Sequence, residues 1–515
     1  MASRHVSERS RSEQTDDARP LPSNSTPRLF LWNHAGRVAE YVALYVSSVV
    51  IARGLGLEGN GVYAGLTSIL QGLLVASAIG ADATLNRHIP QLIGQDSSAQ
   101  TRALFWRILA VRIGLLALAG AVGFGVTSLF VHSLASSFRE YGLILLCYGA
   151  MRATAQIMGI ALVASFRPAA NAVVTAAVRV LELCLLILLT QDGLSIRLIL
   201  ALLASTGGLQ IILLLYSGRG VFLGRWGSVV LRPVLIFGLV YWTNSIVDFF
   251  LGRFGDLFLL SLLLPEQRSA SLYDVASALG QAALLATTAG FAGLTFAMFS
   301  RAAGEPDAMN RLYSALVRVI SLLTIPLFAF LLFHGERVVV LFYSSTFAEA
   351  GAVLQILALF RLGSRLFAGG ENAEYLLALG KVVPLVAIGI IAATLNIGLD
   401  LLLIPVLRAQ GAALASGAAN LAVNALGWQL VRRAGGPRLQ VPFWLEVTGI
   451  CVLSSWLAGL LLGESLPLLT GGYVLLSISL ASWVKPLRPG DLDALRSLHP
   501  LLARLARPFA RGVAA

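Results

Sequence analysis

About fourteen long apolar stretches follow one another along this 515-residue chain, and that pattern restricts the fold to a bundle of membrane-crossing helices. A span needs about 20 apolar residues at about 1.5 Å rise each. On that basis the spans fall near 29–53, 61–84, 104–130, 140–165, 168–190, 195–216, 231–264, 269–299, 310–334, 348–379, 382–406, 410–431, 442–463 and 468–485. Only 12% of residues are charged while 57% are hydrophobic. That is about half the charge of a soluble domain. The expected fold class is all-α integral membrane.

The basic residues set the expected orientation. The formal net charge is +12, but the arginines do not form one patch with interleaved aromatics, which excludes a nucleic-acid surface. They collect in alternate connections, for example Arg87, Arg102 and Arg107, then Arg219, Arg225 and Arg232, then Arg432, Arg433 and Arg438. By the positive-inside rule these loops and both termini are cytoplasmic, which requires an even number of spans. Residues 1–28 are polar, rich in Ser and Arg, and read as a disordered cytoplasmic tail. Residues 486–515 alternate leucines with arginines and read as a basic amphipathic cytoplasmic tail lying on the anionic inner leaflet.

A repeat is visible at an offset of about 210 residues. Tyr63, Thr67, Gln71, Ser77 and Gly80 correspond to Tyr273, Ser277, Gln281, Thr287 and Gly290. An even number of spans separates the copies, so they run in the same direction. The expectation is two six-helix lobes related by a pseudo-two-fold axis along the membrane normal. They would occupy 29–216 and 231–431, with two extra helices at 442–485.

Polar stripes mark what the bundle encloses. Asn33, Arg37, Tyr41, Tyr45 and Ser48 share one helix face, as do Tyr148, Arg152 and Gln156, and Asn171, Thr175, Arg179 and Glu182. Tyr241, Asn244, Ser245 and Asp248 form another row, continued by Gly252 and Asp256. Arg361 and Arg365 share a face, as do Asn396 and Asp400. A charge at mid-membrane costs about 2.5–3.5 kcal/mol or more unless it meets a wet cavity or a partner. Arg37 with Glu40, and Arg179 with Glu182, either neutralise each other in a packed bundle or line a path. Arg361 and Arg365 repel unless an anion or water lies between them. Arg112 and Arg318 fall near span ends and are expected to snorkel to the interface.

Guanidinium groups suit phosphate or pyrophosphate, and the Tyr and Gln stripes suit sugar hydroxyls. The candidate substrate-binding residues are therefore Arg37, Arg152, Arg179, Arg361, Arg365, Tyr63, Gln71, Tyr273 and Gln281. Glu40, Glu182, Asp248, Asp256 and Asp400 are candidate ion-coupling groups or counter-ions. No metal or cofactor is expected. The sequence has no Walker A motif, no HExxH and no Gly-x-Ser-x-Gly, and the three cysteines show no metal or redox spacing.

The stretches ARGLGLEGNGVYAGL (52–66) and IGADATLNRHIPQL (79–92) resemble the opening of Wzx-type flippases of the multidrug/oligosaccharidyl-lipid/polysaccharide superfamily. The resemblance continues through GDLFLLSLLL (255–264), where Asp256 matches a family Asp, SLYDVASAL (271–279), 325–357 and 378–417. It implies a fourteen-helix fold, a cationic central cavity and a bacterial cytoplasmic-membrane location. It also implies flipping of prenyl-pyrophosphate-linked oligosaccharide for surface polysaccharide biosynthesis, by rocking of the two lobes. The implied partners are the lipid-linked glycan and membrane lipids, with glycosyltransferase or polymerase machinery as further candidates. A lipid II flippase, then a cation-coupled multidrug exporter, then a membrane-embedded glycan polymerase stand as alternatives. Short outer loops weigh against the polymerase, and the arginine excess against a cationic-drug exporter.

Overall fold

The computed structural model describes residues 26–511 apart from 96, 129–132, 229–231, 289, 290, 292, 293, 463, 464, 499–503 and 505. The side chains of 26–39 are not among those described, so Arg37 and nearly all of the expected N-terminal tail lie outside the description.

The described residues are helical throughout, and no sheet occurs among them. In chain order the helices are α1 (Thr26–Ala78), α2 (Ala81–Gly94), α3 (Ser98–Ser128), α4 (Ser133–Ala164), α5 (Pro168–Leu189) and α6 (Ile196–Ser217). Then follow α7 (Arg232–Leu251), α8 (Arg253–Leu263), α9 (Arg268–Thr288), α10 (Leu294–Ala302), α11 (Pro306–Phe342), α12 (Ala350–Leu366) and α13 (Gly370–Ala378). The chain closes with α14 (Val382–Arg433), α15 (Val441–Leu462), α16 (Leu466–Val484) and α17 (Pro489–Leu498). Among the described residues, ten helical segments are long and apolar enough to cross a membrane.

Residue distribution is inverted relative to a water-soluble bundle. Large apolar side chains such as Leu143, Val383, Val406 and Trp483 stand on the outside. Arg112, Arg365, Asp256, Asn396 and Asp400 are buried. Such a surface is stable only with lipid against it. The protein is a multi-pass membrane protein.

The two longest helices far exceed the thickness of a bilayer, and each contains a backbone break. The 53-residue α1 turns at Gly56, where φ is +68°, and the 52-residue α14 turns at Arg408, where φ is +55°. Glycine adopts that conformation freely, whereas arginine does so at a cost. Further breaks fall at Gly252, between α7 and α8, and at 367–369, between α12 and α13.

Side chains of α1–α6 make up two apolar clusters of the first half, and most of the remaining core belongs to α8–α16. The halves meet along α1 against α8 and α9, and α2 against α7. The seam is close at both ends of the second segment of α1. A Cβ on Gly61 would lie 1.9 Å from the Gln267 carbonyl oxygen, and one on Gly80 would lie 1.9 Å from that of Gly238. Asn60 Nδ2 donates to Ser271 Oγ at 3.1 Å, and Trp242 Nε1 to the Val75 carbonyl at 2.7 Å.

The described part of the C-terminal tail packs on protein as well as facing outward. Leu487 pairs with the segment near Ala510, Arg511 reaches both Glu446 carboxylate oxygens at 2.8 Å, and Asp491 is fully buried. A tail lying only on a lipid surface would show none of these contacts.

Candidate functional site

Helical spacing brings the polar stripes of α1, α4 and α5 to one place. Tyr148, Arg152 and Gln156 of α4 face Asn171, Thr175, Arg179 and Glu182 of α5 across a cavity of about 460 Å3, with Glu40 and Gln71 of α1 completing the wall. Arg179 Nη1 donates to Glu182 Oε2 at 2.7 Å, so this pair is a local ion pair at the cavity edge. Arg152 Nη1 donates to the Tyr148 hydroxyl at 2.8 Å, and no carboxylate among the described residues pairs with it. Tyr63 packs half-buried in the same cluster as Tyr148 and is not part of the cavity wall.

The second half carries its own polar cavities. Arg253, Asp256, Tyr273, Gln281, Arg361 and Ser364 line one of about 110 Å3, and Arg361, Ser364, Arg365, Glu371 and Glu374 line a second of about 380 Å3. Arg361 borders both, and among the described residues it has no ion-pair partner. Arg365 is different. It is buried, and its Nη1 and Nη2 reach Glu371 at 3.2 and 3.0 Å, while Nε and Nη2 hold Ser321 Oγ at 3.1 and 2.9 Å. Arg365 therefore does not need an anion between itself and Arg361. Glu371 lies six residues away, beyond a break in the helix, outside the window in which same-face partners are sought.

Arg112 and Arg318, expected at the interface, are buried instead. Arg112 contacts Asp82 Oδ1 at 3.2 Å and Gln156 Oε1 at 3.0 Å. Arg318 holds Asp491 through Nε at 2.7 Å and Nη2 at 2.6 Å, and Gln440 through Nη1 at 2.9 Å. In both cases the neutralising carboxylate comes from a distant element, so the desolvation that would have driven snorkelling is offset inside the protein.

Asp248 receives a hydrogen bond from Asn244 at 3.0 Å and lines a cavity of about 280 Å3 at the seam, with Gln71, Asp82, Arg112 and Gln156. Asp256 and Asp400 are buried together. Asn396 Nδ2 donates to Asp256 Oδ1 at 2.7 Å, to Asp400 Oδ2 at 3.3 Å and to the Phe250 carbonyl at 2.8 Å. The Tyr273 hydroxyl also donates to Asp256. Asn396 Oδ1 and Asp400 Oδ1 are buried with no hydrogen-bond partner among the described residues.

Arg253 was missed by sequence reasoning. It follows Gly252 directly, pairs with Asp274, and borders both the second-half cavity and a largely apolar one of about 630 Å3 beside Tyr41, Tyr45, Ser48 and Gln281. An arginine in the middle of the apolar run 231–264 was itself the signal.

A family profile described as polysaccharide biosynthesis protein matches residues 50–352. The chain belongs to the polysaccharide biosynthesis protein family. No curated protein matches its sequence. Among solved structures, the lipid II flippase MurJ in an inward closed conformation aligns with a TM-score of 0.69 at 12% identity, over 88% of this chain and 98% of that one. An inward-facing multidrug resistance MATE transporter of the MOP superfamily aligns at 0.57 and 15% identity, over 77% and 94% of the two chains. The Vibrio cholerae MATE transporter VcmN, in mutant form, aligns at 0.53 and 16% identity, over 79% and 95%. This polysaccharide biosynthesis protein thus shares the fold of these solved structures.

Proposed function

We propose that the protein flips a prenyl-pyrophosphate-linked glycan across the bacterial cytoplasmic membrane by alternating access. The observation that carries the reading is the set of arginine-bearing polar cavities inside a bundle whose outside is apolar. Guanidinium groups hold phosphate oxygens bidentately, while the Tyr, Gln and Asn side chains around them match sugar hydroxyls. The apolar cavity ending at Arg253 offers a lateral route on which a prenyl chain stays in lipid while its diphosphate reaches the interior. Arg152, Arg361 and Arg253 are the foremost contacts in this scheme, with Arg179, Gln71 and Gln281 on the glycan path and Arg37 at the start of α1. Arg365 acts by supporting the wall.

The finer architecture follows the same reading. Taking the breaks at Gly56 and Arg408 as turns between spans, and those at Gly252 and 367–369 as kinks within one, α1 and α14 supply two spans each, α7–α8, α9–α10 and α12–α13 one each, and α3, α4, α5, α6, α11, α15 and α16 one each. That makes fourteen spans in two six-helix lobes with two helices added, and the arginine bias of the loops puts both termini on the cytoplasmic side. Rocking would open the close seams at Gly61 and Gly80 in turn. Asp256, Asn396 and Asp400 form the candidate coupling site, because two adjacent buried carboxylates, with Asp400 Oδ1 and Asn396 Oδ1 unmet among the described residues, favour a proton or small cation between them.

Two cargo readings each have an observation behind them. The family description favours a surface-polysaccharide oligosaccharide. The higher structural similarity to the lipid II flippase favours lipid II, and that reading has the stronger fold support. Reconstitution decides both points. Purified protein in proteoliposomes should accelerate flip of a fluorescent prenyl-pyrophosphate glycan without changing it chemically. Faster flip of lipid II than of a non-peptidoglycan oligosaccharide lipid would select the second cargo, and flip of neither would refute the proposal.

A further inference from the structure

The Gly61 end of the seam rests on one short segment of the second half. Residues 264–267 join α8 to α9. The Gln267 carbonyl lies so close to Gly61 of α1 that a Cβ there would come within 1.9 Å of its oxygen. The same carbonyl accepts from the Ser271 backbone N–H at 3.1 Å, and Ser271 Oγ accepts from Asn60 at 3.1 Å. Asn60 and Ser271 are buried in this contact. The seam thus closes on backbone, and its fit depends on where residues 264–267 sit.

Charges on the exposed side hold that segment from behind. Glu266 Oε1 lies 3.3 Å from Arg408 Nε, at the turn of α14. Arg268, on the other side of Gln267, reaches Glu349 at 2.6 Å. Both pairs belong to the second half. The Arg408 side chain is 67% exposed and that of Glu266 34%. A pair this exposed adds little to stability. Yet Arg408 keeps a backbone conformation, φ +55° and ψ −128°, that favours glycine. An arginine held in a costly conformation beside a weak pair points to a role in function rather than in folding.

We infer that Arg408 and Glu266 are positioning residues of a gate: their pair braces residues 264–267 against Gly61 and so sets how readily this end of the seam opens. The inference rests on the alternating-access reading and adds to it a control point away from the polar cavities. By the arginine bias of the loops, this end faces away from the cytoplasm. A weak brace suits a gate, which must release in every cycle, and a pair in solvent loosens as salt rises.

The test follows the seam itself, without substrate. Full-length protein with Cys147, Cys184 and Cys451 replaced by Ala carries Asn60→Cys in nanodiscs, and this parent is common to every comparison. A bulky water-soluble maleimide reacts at position 60 only when the seam parts. Arg408→Gly and Glu266→Gln should each speed labelling about two- to fivefold, the range an exposed pair can supply. The double variant should stay within about twofold of the faster single one, because either change removes the same brace. Arg408→Lys keeps the charge and should stay within about twofold of the parent. Salt at about 1 M should speed the parent and move the Glu266→Gln rate less than about twofold. Arg408→Gly should also melt at the parent's temperature or above, since glycine relieves the backbone. Parent rates in both single variants, additive effects in the double one, or faster labelling only where the protein melts lower would overturn the brace and leave the flippase reading intact. No labelling in any variant would mean that this seam never parts, which sinks alternating access as well.

Discussion

The guanidinium of Arg318 and the carboxylate of Asp491 meet in a buried two-pronged ion pair, Nε to Oδ2 at 2.7 Å and Nη2 to Oδ1 at 2.6 Å, across 173 residues of sequence. Asp491 also accepts from the Arg488 backbone N–H at 2.8 Å, which fixes the start of α17. The C-terminal segment is therefore part of the bundle. Removing one partner from a buried pair costs about 3–5 kcal/mol, because the other charge is left uncompensated. Asp491→Ala should lower the thermal unfolding midpoint clearly in detergent. Replacing Arg318 and Asp491 together with Leu should restore part of the loss. A D491A protein that melts like wild type would show the strap to be loose.

Arg361 and Arg365 stand one turn apart, yet their substitutions should differ in kind. Arg365 holds Glu371 and Ser321, so Arg365→Ala should destabilise by about 3–5 kcal/mol and reduce expression. Arg361 has no such partner among the described residues, so Arg361→Ala should leave the melting temperature within error and abolish flip. Thermal unfolding beside a proteoliposome flip assay separates the two effects. Equal destabilisation by both would remove Arg361 from the substrate path.

Much of this was readable from the residues. Apolar runs gave the membrane bundle, and i, i+4 spacing brought Tyr148, Arg152 and Gln156 to the wall of one cavity. What pattern reading could not see was partnership across elements. Arg112 finds Asp82 on α2, Arg318 finds Asp491 in the tail, and Arg365 finds Glu371 past a helix break. A place near a span end, for Arg112 and Arg318, and a like charge one turn away, for Arg365, say nothing of such partners, because folding brings charges together from any distance in sequence. The same blindness hid Arg253, whose partner Asp274 belongs to the next helix. The backbone breaks at Gly56 and Arg408, by contrast, fall in the gaps that hydropathy leaves between 29–53 and 61–84 and between 382–406 and 410–431.

The seam predicts a cross-link. Asn60 Nδ2 lies 3.1 Å from Ser271 Oγ, next to the point where Gly61 meets the Gln267 backbone. After Cys147, Cys184 and Cys451 are replaced by Ala, an Asn60→Cys, Ser271→Cys pair should form a disulfide under mild oxidation. Flip should stop in the oxidised protein and return on reduction, because this end of the seam can no longer part. Adding Gly61→Val should slow the cross-link at least severalfold, since its Cβ would press on backbone atoms rather than on a movable side chain. Full flip with the disulfide intact would show that this seam does not move during transport.

Asp256 and Asp400 should trade stability against function. Both are buried, and both are bridged by Asn396. Two neighbouring carboxylates without a cation between them repel, and Asp400 Oδ1 has no hydrogen-bond partner among the described residues. Asp400→Asn keeps the shape and removes one charge, so it should leave the unfolding midpoint unchanged or raise it, as for other groups held in place at a cost in stability. The same substitution should abolish the acceleration of flip by an imposed proton or sodium gradient, whichever drives the wild type, while a slow ungated rate persists. Unfolding in detergent and flip under each gradient measure the two sides separately. A D400N protein that melts lower and still answers the gradient would make the carboxylate a packing element, and the coupling site would have to be sought at Asp248 or Glu40, which line the other polar cavities.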